Sequence, residues 1–140
     1  VVILGRGFAY PNAREAALKV QETCKISVQG VSTADYLHGP ISALTADTQV
    51  FIVAPSHMPA SSITEATVKI RATSSRIFWI GNGGTPEGAD IVLAGSNCDD
   101  EIASTIVDAI VLQRFALEFA VASGYDPDAP VGLSKVTLTN

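Results

Sequence analysis

Val1-Val2-Ile3-Leu4-Gly5-Arg6-Gly7-Phe8-Ala9-Tyr10-Pro11, running on to Glu22, is the stretch that decides the fold. Four consecutive apolar residues end in a glycine-broken turn, and a helical pattern begins directly behind it. A continuous apolar run, as opposed to an alternating one, is what a strand buried on both faces requires. Pro11 suits a first helical turn, where its missing N–H leaves no bond unmade. Behind it Ala13, Ala16, Ala17, Val20 and Cys24 recur at helical spacing. They form a stripe of mostly small residues that lets a helix approach a sheet closely. Glu15, Lys19 and Glu22 lie at i, i+4 and i+7 on the opposite face, and His38-Gly39-Pro40 follows. The segment is expected to set two carboxylates, an amine and an imidazole near the carboxyl end of a first strand. That is a favoured ligand position in open parallel α/β sheets.

The rest of the chain repeats the alternation. Gln49–Val53 and Arg76–Ile80 are further continuous apolar strands, and 27–31 and 90–93 are weaker ones. Helices are predicted at about 11–25, 62–74 and 100–123. Short links between alternating strands and helices imply right-handed crossovers and a doubly wound α/β sheet. The last helix carries Ile102, Ile106, Val107, Ile110, Val111, Phe115, Leu117 and Phe119, apolar nearly all round. Burial on more than one side is therefore expected, with a partner domain or subunit covering it.

Composition narrows the function. The chain has 140 residues, 47 % hydrophobic and 16 % charged, enough for one well-buried domain. A net charge of −5 argues against a nucleic-acid partner, because phosphate binding needs a basic surface. Cys24 and Cys98 are isolated, which argues against a disulfide scaffold and a metal site and fits a reducing cytoplasm. No apolar run reaches membrane-spanning length. Val1 opens inside an apolar run without a leading Met, as expected of a piece cut from a longer chain.

Several residues carry candidate chemistry. On spacing alone, Glu15 and Lys19 make the ordinary i,i+4 surface pair, worth a few tenths of a kcal/mol. Glu22 with the imidazole of His38 can shuttle protons near neutral pH if the two meet. Lys135 is a solvated tail residue or, if the tail folds into a cleft, an amine able to form an imine with a carbonyl. Gly5-Arg6-Gly7 is half a dinucleotide fingerprint, but Tyr10 takes the third glycine position and the second strand ends near Gln29 without an acidic residue, which argues against NAD. Ser56, Ser61, Ser62 and Thr64 either bind phosphate at a helix N-terminus or simply cap it. His57 and Met58 read as ordinary loop residues.

Taken together, Gly5-Arg6-Gly7-x-x-Tyr10-Pro11-x-Ala13-x-Glu15-x-Ala17-Leu18-Lys19-x-x-Glu22, His38-Gly39-Pro40 and Leu133-Ser134-Lys135-Val136-Thr137 resemble the sugar isomerase (SIS) domain. Within it they are most similar to the second of the two SIS domains in glucosamine-6-phosphate synthases and their relatives. The resemblance implies a flavodoxin-like three-layer sandwich on a five-stranded parallel sheet, with the domain over 1–125 and a site-closing tail over 126–140. It implies the C-terminal half of a phosphosugar isomerase, or of an amino-sugar-phosphate aminotransferase or deaminase, acting on a hexose 6-phosphate without a cofactor. Glu22 then moves the proton between C1 and C2, and His38 assists ring opening from across a subunit interface. Lys135 forms a Schiff base with the open-chain ketose, and Glu15 and Lys19 support the site. The implied partners are a sugar phosphate, an N-terminal SIS domain and a second copy. A non-catalytic sugar-phosphate-binding module is the alternative. Asp35 and Leu37 depart from the Glu and Lys usual before His-Gly-Pro, and the tail is closer to that of stand-alone isomerases and deaminases.

Overall fold

The computed structural model describes residues 1–58, 60–73, 75–84 and 88–133, without the side chains of Ala60 and Ser62. Five strands form one all-parallel sheet: β1 (Val2–Gly5), β2 (Gln29–Ser32), β3 (Gln49–Val53), β4 (Arg76–Ile80) and β5 (Ile91–Leu93), in the order β2-β1-β3-β4-β5. Four helices cover it: α1 (Ala9–Cys24), α2 (Thr33–Leu37), α3 (Ala60–Arg71) and α4 (Glu101–Ala122). This is the expected flavodoxin-like order, with the chain reversing direction of travel across the sheet after β2.

Strand alternation divides the interior into two layers. Ile3, Phe51, Val53 and Ile80 face α1 and α4. Val2, Leu4, Val50, Ile52, Ile77 and Trp79 face the other way, against Tyr36 of α2 and Ile63, Ala66 and Ile70 of α3. Phe51 stacks on Phe78 with ring centroids 4.6 Å apart and meets Phe115 of α4 at 5.2 Å. Each such aromatic pair contributes roughly 0.5–1.5 kcal/mol beyond its area.

The stripe of small residues on α1 is buried, as its spacing predicts: Ala9, Ala13, Ala16, Ala17, Val20 and Cys24 all lie against the sheet. Two glycines allow that close approach. A Cβ on Gly5 would stand 2.2 Å from the carbonyl oxygen of Ala9, and one on Gly30 would stand 2.6 Å from the backbone of Ala13 and Arg14. Both obstacles are main-chain atoms of a helix and cannot rotate away.

Some expectations shift. The second strand runs to Ser32, not to about Gln29, and is followed at once by α2, which periodicity did not predict. Ser32 caps α2, its hydroxyl accepting from the amide of Asp35 at the long distance of 3.5 Å. Within this chain the last helix is covered on one side only. Its inward face buries Ser104, Asp108, Leu112, Ala116 and Ala120, with Val111, Phe115 and Phe119 packed against the same layer. Ile102, Ile106 and Ile110 point outward and are each more than 60 % exposed. No helix among the described residues is long and apolar enough to cross a membrane.

Gly5→Ala and Gly30→Ala are each expected to destabilise the domain by about 1–3 kcal/mol through overpacking. Denaturant unfolding reads this directly, and wild-type stability in either variant would contradict the close α1–sheet contact.

Candidate functional site

α1 begins at the carboxyl end of β1 and runs away from it, so its polar residues are spread along the fold. At 1.5 Å per residue, Glu22 in the last turn stands about 20 Å from the helix start. The expectation that Glu22 gathers near the carboxyl end of β1 is therefore corrected: it lies at the other end of the helix. Gln21 holds that end, its amide donating to the carbonyl of Val28 at 2.8 Å. Lys25 ends the helix in a left-handed conformation, φ 53°.

Glu15, Lys19 and Glu22 are partly buried, and Glu15 reaches α4. Their pairing differs from the spacing rule. Lys19 Nζ donates to Glu22 Oε2 at 2.7 Å, an i,i+3 ion pair. Glu15 instead accepts a hydrogen bond from Gln113 Nε2 of α4 at 3.1 Å. The amine of Lys19 is held above lysine's ordinary value first by the hydrogen bond to Glu22, with burial opposing and the charges of Glu22 and Glu15 adding to the rise. The strip thus offers a partly buried carboxylate fixed by an ammonium, which is the kind of group that can take a proton from carbon and return it.

His38 is elsewhere. It ends α2, its backbone N–H bonded to Asp35 O at 3.2 Å, and is exposed ahead of the 3-10 turn Pro40–Ala43. Its charge, with that of Arg6, helps lower the pKa of Glu65 on α3, after the larger effect of Lys69. α2 and α3 pack on one face of the sheet, and α1 and α4 on the other. Glu22 and His38 of one chain are therefore on opposite sides of the sheet and do not form a pair within it.

Lys135 lies outside the described residues. The chain leading toward it leaves α4 beside the end of α1: Lys25 Nζ is 5.8 Å from the centre of the Tyr125 ring. That contact brings the start of the tail next to the turn that carries Glu22.

His57, read as a loop residue, bridges two elements. Its Nδ1 is 3.2 Å from Ser104 Oγ, and its Nε2 is 3.3 Å from Glu101 Oε1. Ser104 is fully buried and its hydroxyl donates to the carbonyl of Glu101 at 3.0 Å, so this Ser-His-Glu arrangement locks the loop after β3 to α4 and presents no nucleophile. Ser56 does similar work, donating to the carbonyl of Cys98 at 2.8 Å. Ser56 is thereby committed to structure. An open groove of about 720 Å³ runs between α1 and the edge strand β2, lined by Tyr10, Arg14, Glu15, Leu18 and Gly30 among others. Among the described residues, no three His, Cys, Asp or Glu side chains are grouped to hold a metal ion. His57 and Gln113 are the site-region residues the sequence did not single out, and only the packing of α4 reveals them.

Comparison with known proteins gives a consistent result. The family model of the SIS domain matches residues 1–123. A glutamine–fructose-6-phosphate aminotransferase (isomerizing) of Leifsonia xyli subsp. xyli is 33 % identical over 96 % of this chain. The chain spans 23 % of that relative's length. A tagatose-6-phosphate ketose/aldose isomerase from Escherichia coli superposes with a TM-score of 0.69 at 29 % identity, over 99 % of this chain and 39 % of its own. The C-terminal domain of a glucosamine-fructose-6-phosphate aminotransferase from Francisella tularensis shares the fold, with a TM-score of 0.77 at 22 % identity over 89 % of this chain and 36 % of that one.

The Lys19–Glu22 pair has a pH signature. A raised lysine pKa contributes stability that is fully present below the unfolded value near 10.5 and is lost as pH rises through the folded value. For a pair this exposed the contribution stays under about 1 kcal/mol. In a ¹³C NMR titration Lys19 is expected to deprotonate above ordinary lysine, and Glu22→Gln to bring it down. A Lys19 titration indifferent to that substitution would contradict the pairing.

Proposed function

The chain belongs to the SIS domain family, and we propose that it is the C-terminal SIS half of a phosphosugar-converting enzyme. The substrate class is a hexose 6-phosphate of the fructose 6-phosphate or glucosamine 6-phosphate type. The reaction is aldose–ketose isomerisation, coupled in the complete protein to transfer or release of an amino group. The observation that carries this reading is the partly buried Lys19–Glu22 pair on α1.

In this reading Glu22 removes a proton from C1 of the open-chain ketose and returns it to C2 by way of the enediol or enamine. Lys19 keeps that carboxylate aimed and charged between transfers, and Glu15 supports Lys19. Lys135 condenses with the C2 carbonyl, losing water to form an imine; the amine being transferred then displaces the Lys135 nitrogen and leaves a C2 imine that acidifies the neighbouring C–H bond. The Lys25–Tyr125 contact supports a tail, 126–140, that closes over the Glu22 end of α1. His38 assists ring opening from a second copy of the chain. The sheet between His38 and Glu22 favours a role in trans over one within a single chain.

The outward Ile102, Ile106 and Ile110 on α4 support a protein partner over that helix, either an N-terminal SIS domain or a second subunit of a homodimer. The free thiols Cys24 and Cys98 favour a cytoplasmic setting. The names of the relatives above, an aminotransferase and a ketose/aldose isomerase, support the same substrate class.

In the complete protein, Lys135→Ala is expected to lower turnover of fructose 6-phosphate sharply and to abolish borohydride trapping of the sugar. Wild-type rates in that variant would remove the imine step. Glu22→Gln is expected to cost at least about 100-fold in turnover while leaving stabilisation by the sugar phosphate intact. A protein that binds the sugar phosphate with no turnover to lose would instead be the non-catalytic binding module. Residues 1–140 alone are expected to be inactive, and measurable isomerisation by that piece would overturn the half-site reading.

A further inference from the structure

We propose that Gln113 of α4 is a positioning residue for the proton-moving carboxylate, acting by holding Glu15 away from Lys19 so that Lys19 stays on Glu22. This rests on the proton-transfer reading above and adds a residue to it from a part of the chain 98 positions away.

Three side chains on α1 compete for one another. Lys19 has two carboxylates within reach, Glu15 four residues before it and Glu22 three residues after it. Glu four residues N-terminal to Lys is the more favourable of the two helical orders, so an isolated α1 would pair Lys19 with Glu15. The folded chain does the opposite: the 2.7 Å bond goes to Glu22. What differs from an isolated helix is α4. Gln113 reaches across to α1 and donates to Glu15 Oε1 at 3.1 Å, turning that carboxylate toward α4.

The chemistry of the amide matters. A glutamine donates a hydrogen bond without carrying charge, so it orients Glu15 and leaves its negative charge in place. That charge still favours the protonated form of Lys19 from a distance. A lysine or arginine at 113 would orient Glu15 but neutralise it, and an apolar residue would release it. The helix pair that makes this possible is itself fixed by a second cross-helix bond, from Asn12 Nδ2 to the carbonyl of Thr105 at 2.9 Å. Asn12 is buried and serves the packing, whereas Gln113 is exposed and its amide ends on a residue of the polar strip.

The test uses the complete protein and fructose 6-phosphate in D₂O, following loss of the C1 proton signal by NMR. Gln113→Met keeps the side chain's length without the donor. It is expected to lower the kcat for exchange on the order of tenfold, the loss of one hydrogen bond to a charged group, with KM little changed and the melting temperature close to wild type. In a Glu15→Gln background the same substitution is expected to cost nothing further, because Gln113 acts only through the Glu15 charge. Wild-type exchange in Gln113→Met, or an equal loss in both backgrounds, would overturn the proposal while leaving the function of Glu22 standing. Glu22→Gln separates the two: if it exchanges as fast as wild type, the proton-transfer reading falls and this proposal with it.

Discussion

The close contact of α1 with β1 and β2 is the constraint on which the site depends. Helix and sheet meet through alanines on one side and through Gly5 and Gly30 on the other, where any side chain would strike helix backbone. Where Gly5 and Gly30 meet the helix backbone no side chain separates the two, which fixes the axis of α1 both in height above the sheet and in rotation. Rotation is the consequential part. It brings Glu15 to α4 and leaves the strip Glu15, Lys19 and Glu22 neither buried nor fully in water. The carboxylate of Glu22 is held there by one partner in one place.

α4 completes the arrangement and explains its own composition. Its inward face mixes small and polar residues with Leu112 and Phe115, and packs against α1, the sheet and the His57 loop. Ile102, Ile106 and Ile110 are turned outward. A helix built in this way has two faces to satisfy, one met by this chain and one that a protein partner would meet. The separation of Glu22 and His38 by the sheet leads to the same conclusion from a different direction. Within one chain the two residues do not meet, which is why His38 is proposed to act in trans.

Much of the fold was legible in the sequence. Continuous apolar runs gave β3 and β4 with their observed bounds, and the small-residue stripe gave the buried face of α1. α2 was not legible, because five residues are too few to show a helical period. The outward aliphatics of α4 were legible as apolar, but periodicity reports that a residue is apolar, not what covers it. In the site, residue types on α1 were readable but their pairing was not. The spacing rule favours Glu15 with Lys19, and a single amide on a helix 98 residues away reverses it. The place of Glu22 was misjudged for a simpler reason: a 16-residue helix carries its last turn far from the strand end where it began. The His57 bridge depends wholly on tertiary contact with α4.

The most direct measurement is a crystal structure of the complete protein with fructose 6-phosphate bound. The account predicts the C1–C2 edge of the open-chain sugar against the carboxylate of Glu22, with Lys19 still on Glu22 and His38 reaching the sugar from another subunit. A sugar phosphate bound away from the Lys19–Glu22 pair, with Glu22 facing solvent, would contradict it.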